Sequence, residues 1–364
     1  MNKIKLPFRV KRPMLACGAD MKGAFVLAKG SSAYLFDGFG DLSELDNFTR
    51  YEKAVKGAVK RLKIRPAVVA CDLHPGYFST RFAEDFLRVT NDERRMTKSV
   101  ILRRAQHHGA HVASAIVDNK ITGEVFAAAF DGTGYGPDGN IWGGEFFKGN
   151  IRNLRRAAHL DYIPMPGGEA CIREPWRMAA SYLYAACGRD FLRLKIGIVK
   201  GINRRRWAVL KEMIDKRVNS PLTSSAGRLF DAVGSIVLNR KEAKFEAELP
   251  IELERIAAKG VDASYSPGGS LKIVKQIVRD VEKKVDASII SAKFHNSIAR
   301  MILDAARISK LKRVVLSGGV FQNRYLKDRT VKLLSANGFK VYTHSSVETN
   351  DSGIPIGQIA IANE

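Results

Sequence analysis

Cysteine pairs are missing from this chain. Its four cysteines, Cys17, Cys71, Cys171 and Cys187, contain no Cys-x-x-Cys unit. That excludes a zinc ribbon and gives no framework for a disulfide-stapled fold. Lying in apolar or small-residue runs, they read as reduced, buried thiols of a cytoplasmic protein. No apolar run approaches the roughly 20 residues of a membrane helix, and Met1 to Val10 lacks the apolar segment of a secretory signal. No membrane attachment is therefore expected. Acidic residues are also in short supply, 37 against 60 Lys and Arg, for a net charge of +23. Such a surplus attracts polyanions. The basic residues are scattered through Arg94-Arg95, Arg103-Arg104, Arg152 to Arg156 and Arg204 to Arg206. The preferred reading is a solvated basic surface, with nucleic-acid binding left open.

Apolar residues are not lacking. A content of 45% hydrophobic excludes a disordered chain, and 364 residues suffice for two domains or one bilobal unit.

The stretch with most chemistry runs from Gln106 to Glu145. His107 and His111 fall in the first turns of an expected helix, where i and i+4 share a face and suit a divalent metal. The same spacing also fits two satisfied histidines. Val125 to Phe130 reads as an apolar strand ending in Asp131-Gly132-Thr133-Gly134, where a carboxylate could complete a coordination shell and the glycines let backbone N–H groups approach a phosphate. Ile141 to Phe147 reads as the returning strand. Met14 to Cys17, the turn Gly18-Ala19-Asp20-Met21-Lys22-Gly23 and Ala24 to Ala28 repeat this form. Two such units suggest a duplicated α/β architecture with a ligand between lobes, although unrelated hairpins would look alike.

Elsewhere a helix is expected from Leu42 to Lys63, capped by Asp41 or Ser43. Pro66 to Cys71 reads as a buried strand with the polar loop Asp72 to Tyr77 at its end, a ligand-bearing position in open α/β sheets. Ser79 to Leu87 reads as a helix, and a strand is expected near Ser99 to Leu102. From about 155 to 300 the pattern turns to helices and long loops, with Pro175 in the first turn of one helix. Ser224 to Val233 opens another whose N-terminus could face an anion, and Lys293 to Ile308 forms a third. Lys312 to Leu316 reads as a strand leading through Ser317-Gly318-Gly319 into a helix. Lys340 to Thr343 reads as a last strand, and Pro355 to Ala362 as a last helix. Asp351, before it, is a second candidate carboxylate ligand or a surface turn residue.

Gly18 to Lys22, Asp72 to Tyr77, Gln106 to His111, Asp131 to Glu145, Met165 to Gly168, Ser224 to Val233, Ser317 to Asn323 and Asn350 to Gly357, in that order, resemble the C-terminal carbamoyltransferase domain of the hydrogenase maturation protein HypF. The resemblance implies an α/β actin/Hsp70-like fold of two RNase-H-like lobes, residues 1–120 and 121–364, the second with a mainly helical insertion at about 155–300. It implies one divalent metal, iron or zinc, on His107, His111, Asp131 and Asp351. It further implies an ATP-derived carbamoyl-adenylate lined by Gly134, Gly227, Asp231, Gly318, Gly319 and Asn323. Lys22 and His74, both at strand-end turns, are candidate catalytic groups for electrostatic or proton-transfer help, with a structural role as the alternative for each. The implied reaction carries the carbamoyl group to the C-terminal cysteine of a HypE-like acceptor protein. The acylphosphatase, zinc-finger-like and YrdC-like adenylating segments that precede this domain in the family have no counterpart here, so a separate YrdC-like partner is expected. The family's His-His-His-Ala-His is His107-His108-Gly109-Ala110-His111 here, with glycine at the third position, and its Asp-Gly-Gly is Asp351-Ser352-Gly353; both changes spare the ligands. Rival expectations are a carbamoyl- or threonylcarbamoyltransferase of the same fold acting on a small molecule or tRNA, and a non-catalytic nucleotide-binding scaffold.

Overall fold

The computed structural model describes residues 1–94 and 99–363, without the side chains of 91–94. The Arg94-Arg95 pair therefore lies outside the described side chains. Two sheets organise the chain. The first is built from Asn2–Lys5 (β1), Met14–Ala16 (β2), Phe25–Lys29 (β3), Ser32–Phe36 (β4), Val68–Asp72 (β5) and Ile101–Ala105 (β6), in the order β1-β4-β3-β2-β5-β6. Leu45–Leu62 (α1) and Phe78–Arg94 (α2) connect its later strands, and His107–Asp118 (α3) follows β6.

The second sheet contains Val125–Tyr135 (β7), Ile141–Gly149 (β8), Arg155–His159 (β9), Ile163–Pro164 (β10), Leu222–Thr223 (β11), Arg313–Ser317 (β12) and Lys340–Tyr342 (β13). Between β10 and β12 lie Ala170–Arg173 (α4), Trp176–Cys187 (α5), Gly197–Lys200 (α6), Arg204–Lys216 (α7), Ala226–Leu238 (α8), Glu248–Ile256 (α9), Gly269–Glu282 (α10) and Ala287–Ser309 (α11). Arg324–Ala336 (α12) joins β12 to β13, and Ile354–Ala362 (α13) ends the chain.

Both sheets share one plan. Leaving aside β1 in the first sheet and β10 and β11 in the second, β2-β3-β4 and β7-β8-β9 are antiparallel neighbours, while β5 and β12 pair parallel with β2 and β7, and β6 and β13 with β5 and β12. The spatial order is 3-2-1-4-5 twice. This is the actin/Hsp70-like arrangement of two RNase-H-like lobes. The central strands β5 and β7 read as continuous small and apolar residues because both faces are covered.

The helices that end the two repeats pack on each other between the sheets. Every residue of α3 from His107 to Val117 is buried, and α13 (IPIGQIAIA) is apolar on nearly all sides, as a helix covered all round must be. A Cβ at Gly357 would stand 1.9 Å from the Ala110 carbonyl oxygen, so only glycine permits this crossing. Although last in sequence, α13 reaches the first sheet: Ile356, Ile359 and Ala360 join the core of Met14, Val26 and Ala70. The buried Gln358 amide accepts from Gly18 N at 2.8 Å and donates to Gly18 O at 3.0 Å.

Several local expectations are corrected. α1 starts at Leu45 after Glu44, without a side-chain cap; Asp41 instead accepts from Ser43 N within its own turn. Pro175 does stand at the first turn of α5 as expected, as its N-cap, its carbonyl accepting from Ala179 N at 3.0 Å. Ser317-Gly318-Gly319 leads into a 3-10 turn, Gly319–Gln322, and α12 begins only after Asn323 caps it. The stretch 155–300 also gives β9, β10 and β11 to the second sheet.

Candidate metal centre

Gln106 fixes the start of α3: its side chain accepts from Gly109 N at 2.7 Å and donates to Tyr135 O at 3.2 Å. Both imidazoles one turn apart then face the ends of β7 and α13. His107 Nε2 and His111 Nε2 each lie 3.3 Å from Asp131 Oδ2, and 3.8 and 3.4 Å from Asp351 Oδ1. One ligand atom from each of the four residues lies within 4.8 Å of the others. Four donors about 2.1 Å from a tetrahedral cation stand about 3.4 Å apart, so these edges fit one ion. Among the described residues neither ring nitrogen of the buried His111 makes a hydrogen bond, and Nε2, the one facing the two carboxylates, is free to ligate a cation. Two imidazoles and two carboxylates suit a borderline divalent metal.

Local backbone sets these angles. The β7–β8 register shifts between Phe130 and Gly134, turning Asp131 out of the ladder. Asp131 Oδ1 is held by Gly319 N at 2.9 Å, leaving Oδ2 for the imidazoles. Asp351 opens a short 3-10 turn before α13. Behind His107, the fully buried Asp72 carboxylate lies 2.8 Å from Nδ1 and directs Nε2 towards the cluster.

Charge balance explains the titration of the cluster. Burial alone would lower an imidazole, yet Asp72, Asp131 and Asp351 hold His107 well above its ordinary range. Asp131 and Asp351 likewise raise His111 against burial. His108, on another face, is driven well below its usual value by burial and then by the His107 charge. Asp131 is held well below the carboxylate range by the two imidazoles despite its burial. Protons and a cation therefore compete for the same donors.

Beside the cluster lies a cavity of about 460 Å³, with Met21 and Lys22 from the first lobe and residues of β7, α8, α9 and the Gly319 turn on its walls. Lys22, Gly227, Gly319 and Asn323 line it together with Asp131 and Asp351. Gly227 brings α8 close: a Cβ there would lie 2.9 Å from Gly132 Cα, and Ser225 Oγ donates to the Asp131 carbonyl at 3.1 Å.

Four expected residues are absent from the cavity lining. His74 stacks on Tyr77, ring centroids 4.2 Å apart, and its Nδ1 accepts from Gly76 N. Gly134 instead makes room for the imidazoles, since a Cβ would lie 2.5 Å from His108 and 2.8 Å from His107. Gly318, at φ +99°, passes so near β7 that a Cβ would meet Phe130 O at 2.2 Å. Asp231 is buried against Arg228, with Oδ2 2.7 Å from Nε.

Two participants escaped the sequence reading. Arg228 lines the cavity, and its buried Nη1 has no partner among the described residues; its i, i+3 spacing from Asp231 was the available signal. Asp72 lay in a loop marked as ligand-bearing, but its link to His107 spans 35 positions and has no sequence signature.

Two RNase-H-like lobes, a four-residue cluster able to hold a metal ion and a cavity beside it define a protein of the actin/Hsp70-like fold class. The comparisons narrow it. Residues 9–118 match the family model described as HypF Kae1-like domain, and residues 127–358 match "Carbamoyltransferase, Kae1-like Domain, second subdomain". The chain is 31% identical over 378 residues to a carbamoyltransferase HypF of Synechocystis sp., covering 98% of this chain and 48% of the relative. It is 31% identical over 369 residues to a carbamoyltransferase HypF homolog of Cupriavidus necator, covering 96% of this chain and 91% of that relative. A solved full-length HypF, in a phosphate- and nucleotide-bound form, superposes with a TM-score of 0.91 at 34% identity, over 99% of this chain and 47% of that one. The chain thus belongs to the HypF carbamoyltransferase family. It spans about half the length of most of the curated relatives it matches, the Cupriavidus homolog excepted.

Proposed function

We propose that this chain is a carbamoyltransferase of the HypF type, taking the carbamoyl group of carbamoyl-adenylate to the C-terminal cysteine thiolate of a HypE-like acceptor. The observation that carries the reading is the four-residue cluster opening beside an interlobe cavity. His107, His111, Asp131 and Asp351 would hold a divalent metal, iron or zinc, which when bound polarises a carbonyl and neutralises phosphate charge. Gly227, Gly319 and Asn323 would face the adenylate. Lys22 and Arg228 would offer positive charge to its phosphate. The remaining expected nucleotide residues act at one remove: Asp231 holds Arg228, while Gly134 and Gly318 allow close packing. His74 has no step in this scheme.

In the transfer, the acceptor sulfur forms a bond to the carbamoyl carbon as the bond from that carbon to the adenylate oxygen breaks, releasing AMP. The division into lobes 1–120 and 121–364, with the insertion at 155–300, belongs to the same reading, with α13 crossing back to the first lobe. Activation of the carbamoyl group is assigned to a separate YrdC-like protein or domain.

The test is to supply preformed carbamoyl-adenylate, or a YrdC-like protein with carbamoyl phosphate and ATP, and follow the acceptor by mass spectrometry. Appearance of a carbamoylated C-terminal cysteine that depends on His107 is the expected result. An unmodified acceptor, with preformed adenylate present and metal bound, refutes the reading. A parallel arm with tRNA across a salt series addresses the +23 charge. Binding that fades with salt while the acceptor stays unmodified would favour the tRNA alternative.

A further inference from the structure

His295 lies in the middle of α11, fully buried and away from the metal cluster. Its Nδ1 is 2.8 Å from the carbonyl of Ser291 one turn earlier, and its Nε2 is 2.9 Å from Asn323 Nδ2. The Ser291 hydroxyl, also near Nδ1, gives its own proton to Leu253 O. Both groups facing Nδ1 therefore act as acceptors, which puts an imidazole proton on Nδ1. Phe230 and Tyr325 approach the ring at centroid distances of 5.3 and 5.1 Å. Burial in these surroundings pushes the imidazole down to about 4, so it is neutral at physiological pH.

A neutral ring protonated at Nδ1 has only a lone pair at Nε2, and Asn323 must donate to it. The other end of the same amide agrees: Asn323 Oδ1 accepts from Leu326 N at 2.8 Å, capping α12. Two independent partners thus fix one orientation of a side chain on the cavity wall. The carbonyl oxygen is committed to the helix and one N–H to the imidazole, leaving the second N–H without a partner among the described residues.

We infer that His295 is a positioning residue that locks Asn323 as a one-way hydrogen-bond donor, so that the nucleotide presents an acceptor atom, a ring nitrogen or an oxygen, at this wall. This inference rests on the adenylate reading of the cavity. Direct contact belongs to Asn323; His295 acts only through it.

Calorimetric titration of the full chain with ATP tests it. His295→Leu is expected to weaken binding about tenfold, the scale of one buried hydrogen bond. His295→Gln, whose amide oxygen can take the N–H from Asn323, retains binding within about threefold. In the double variant with Asn323→Ala, affinity is expected to match Asn323→Ala alone. Wild-type affinity in His295→Leu, or losses that multiply in the double variant, would overturn the positioning role. Failure of the unsubstituted chain to bind ATP would instead overturn the adenylate reading beneath it. Should His295→Leu fail to fold, long-range proton–nitrogen NMR on the unsubstituted chain reads the tautomer directly. A proton on Nδ1 supports the inference; one on Nε2 refutes it.

Discussion

The two lobes share a topology but use corresponding aspartates differently, Asp20 in the turn after β2 and Asp131 in β7. In the first, both oxygens of Asp20 accept backbone N–H groups at the start of α2, from Phe78 at 2.7 Å and Ser79 at 2.9 Å. In the second, Asp131 gives one oxygen to Gly319 N and turns the other to the imidazoles. The first carboxylate is consumed by a helix start; the second is half free. In the second lobe the 3-10 turn Gly319–Gln322 stands before α12, and Asp131 meets only its first N–H. The crossing helices divide labour similarly. α3 brings the imidazoles, while α13 brings Gln358 to bind the first lobe's turn. The repeated topology supplies the frame, and the four candidate ligands come from both repeats: the imidazoles from α3, the carboxylates from β7 and the turn before α13.

The sharpest way to break this asymmetry is at the cluster. His107→Ala or Asp351→Ala should leave the purified chain without stoichiometric metal by elemental analysis, whereas Asp20→Asn should retain it. Equal metal loss in all three would erase the distinction between the lobes.

Histidines differ as well. His107 is held high by carboxylates, but His295, without one, is held down to about 4 by burial. A depressed imidazole contributes stability fully above its unfolded value near 6.5 and loses it as the pH falls from there towards 4. The contribution is about 3 kcal/mol. Denaturant midpoints between pH 7 and 4 should therefore drop less in His295→Gln than in the unsubstituted chain.

The helix crossing joins both halves. Gly357→Ala puts a methyl group against the Ala110 backbone and should cost about 2 kcal/mol in urea unfolding. An unchanged midpoint would show that the helices separate freely. The smallest effect is expected at Asp20→Ala, about 1 kcal/mol for a lost helix cap, with metal content unchanged.

Much of this was legible from local pattern. Strand–turn–strand repetition announced two lobes, because a buried strand must be apolar and its turn must hold glycine. The i, i+4 histidines announced a shared face, because helical periodicity is a local property. Asp351 illustrates the limit: from its loop alone it read more readily as a surface turn residue than as a ligand, and only the crossing of α13 over α3 brings its oxygen 3.4 Å from His111. Asp72 and His295 show the same limit, since their partners lie 35 and 28 positions away. Backbone geometry and hydrophobic period act between near neighbours, so sequence alone determined the elements and the candidate ligands. Which groups share a buried volume depends on how those elements pack, and only the tertiary structure decided which carboxylates meet the imidazoles and which glycines serve the packing.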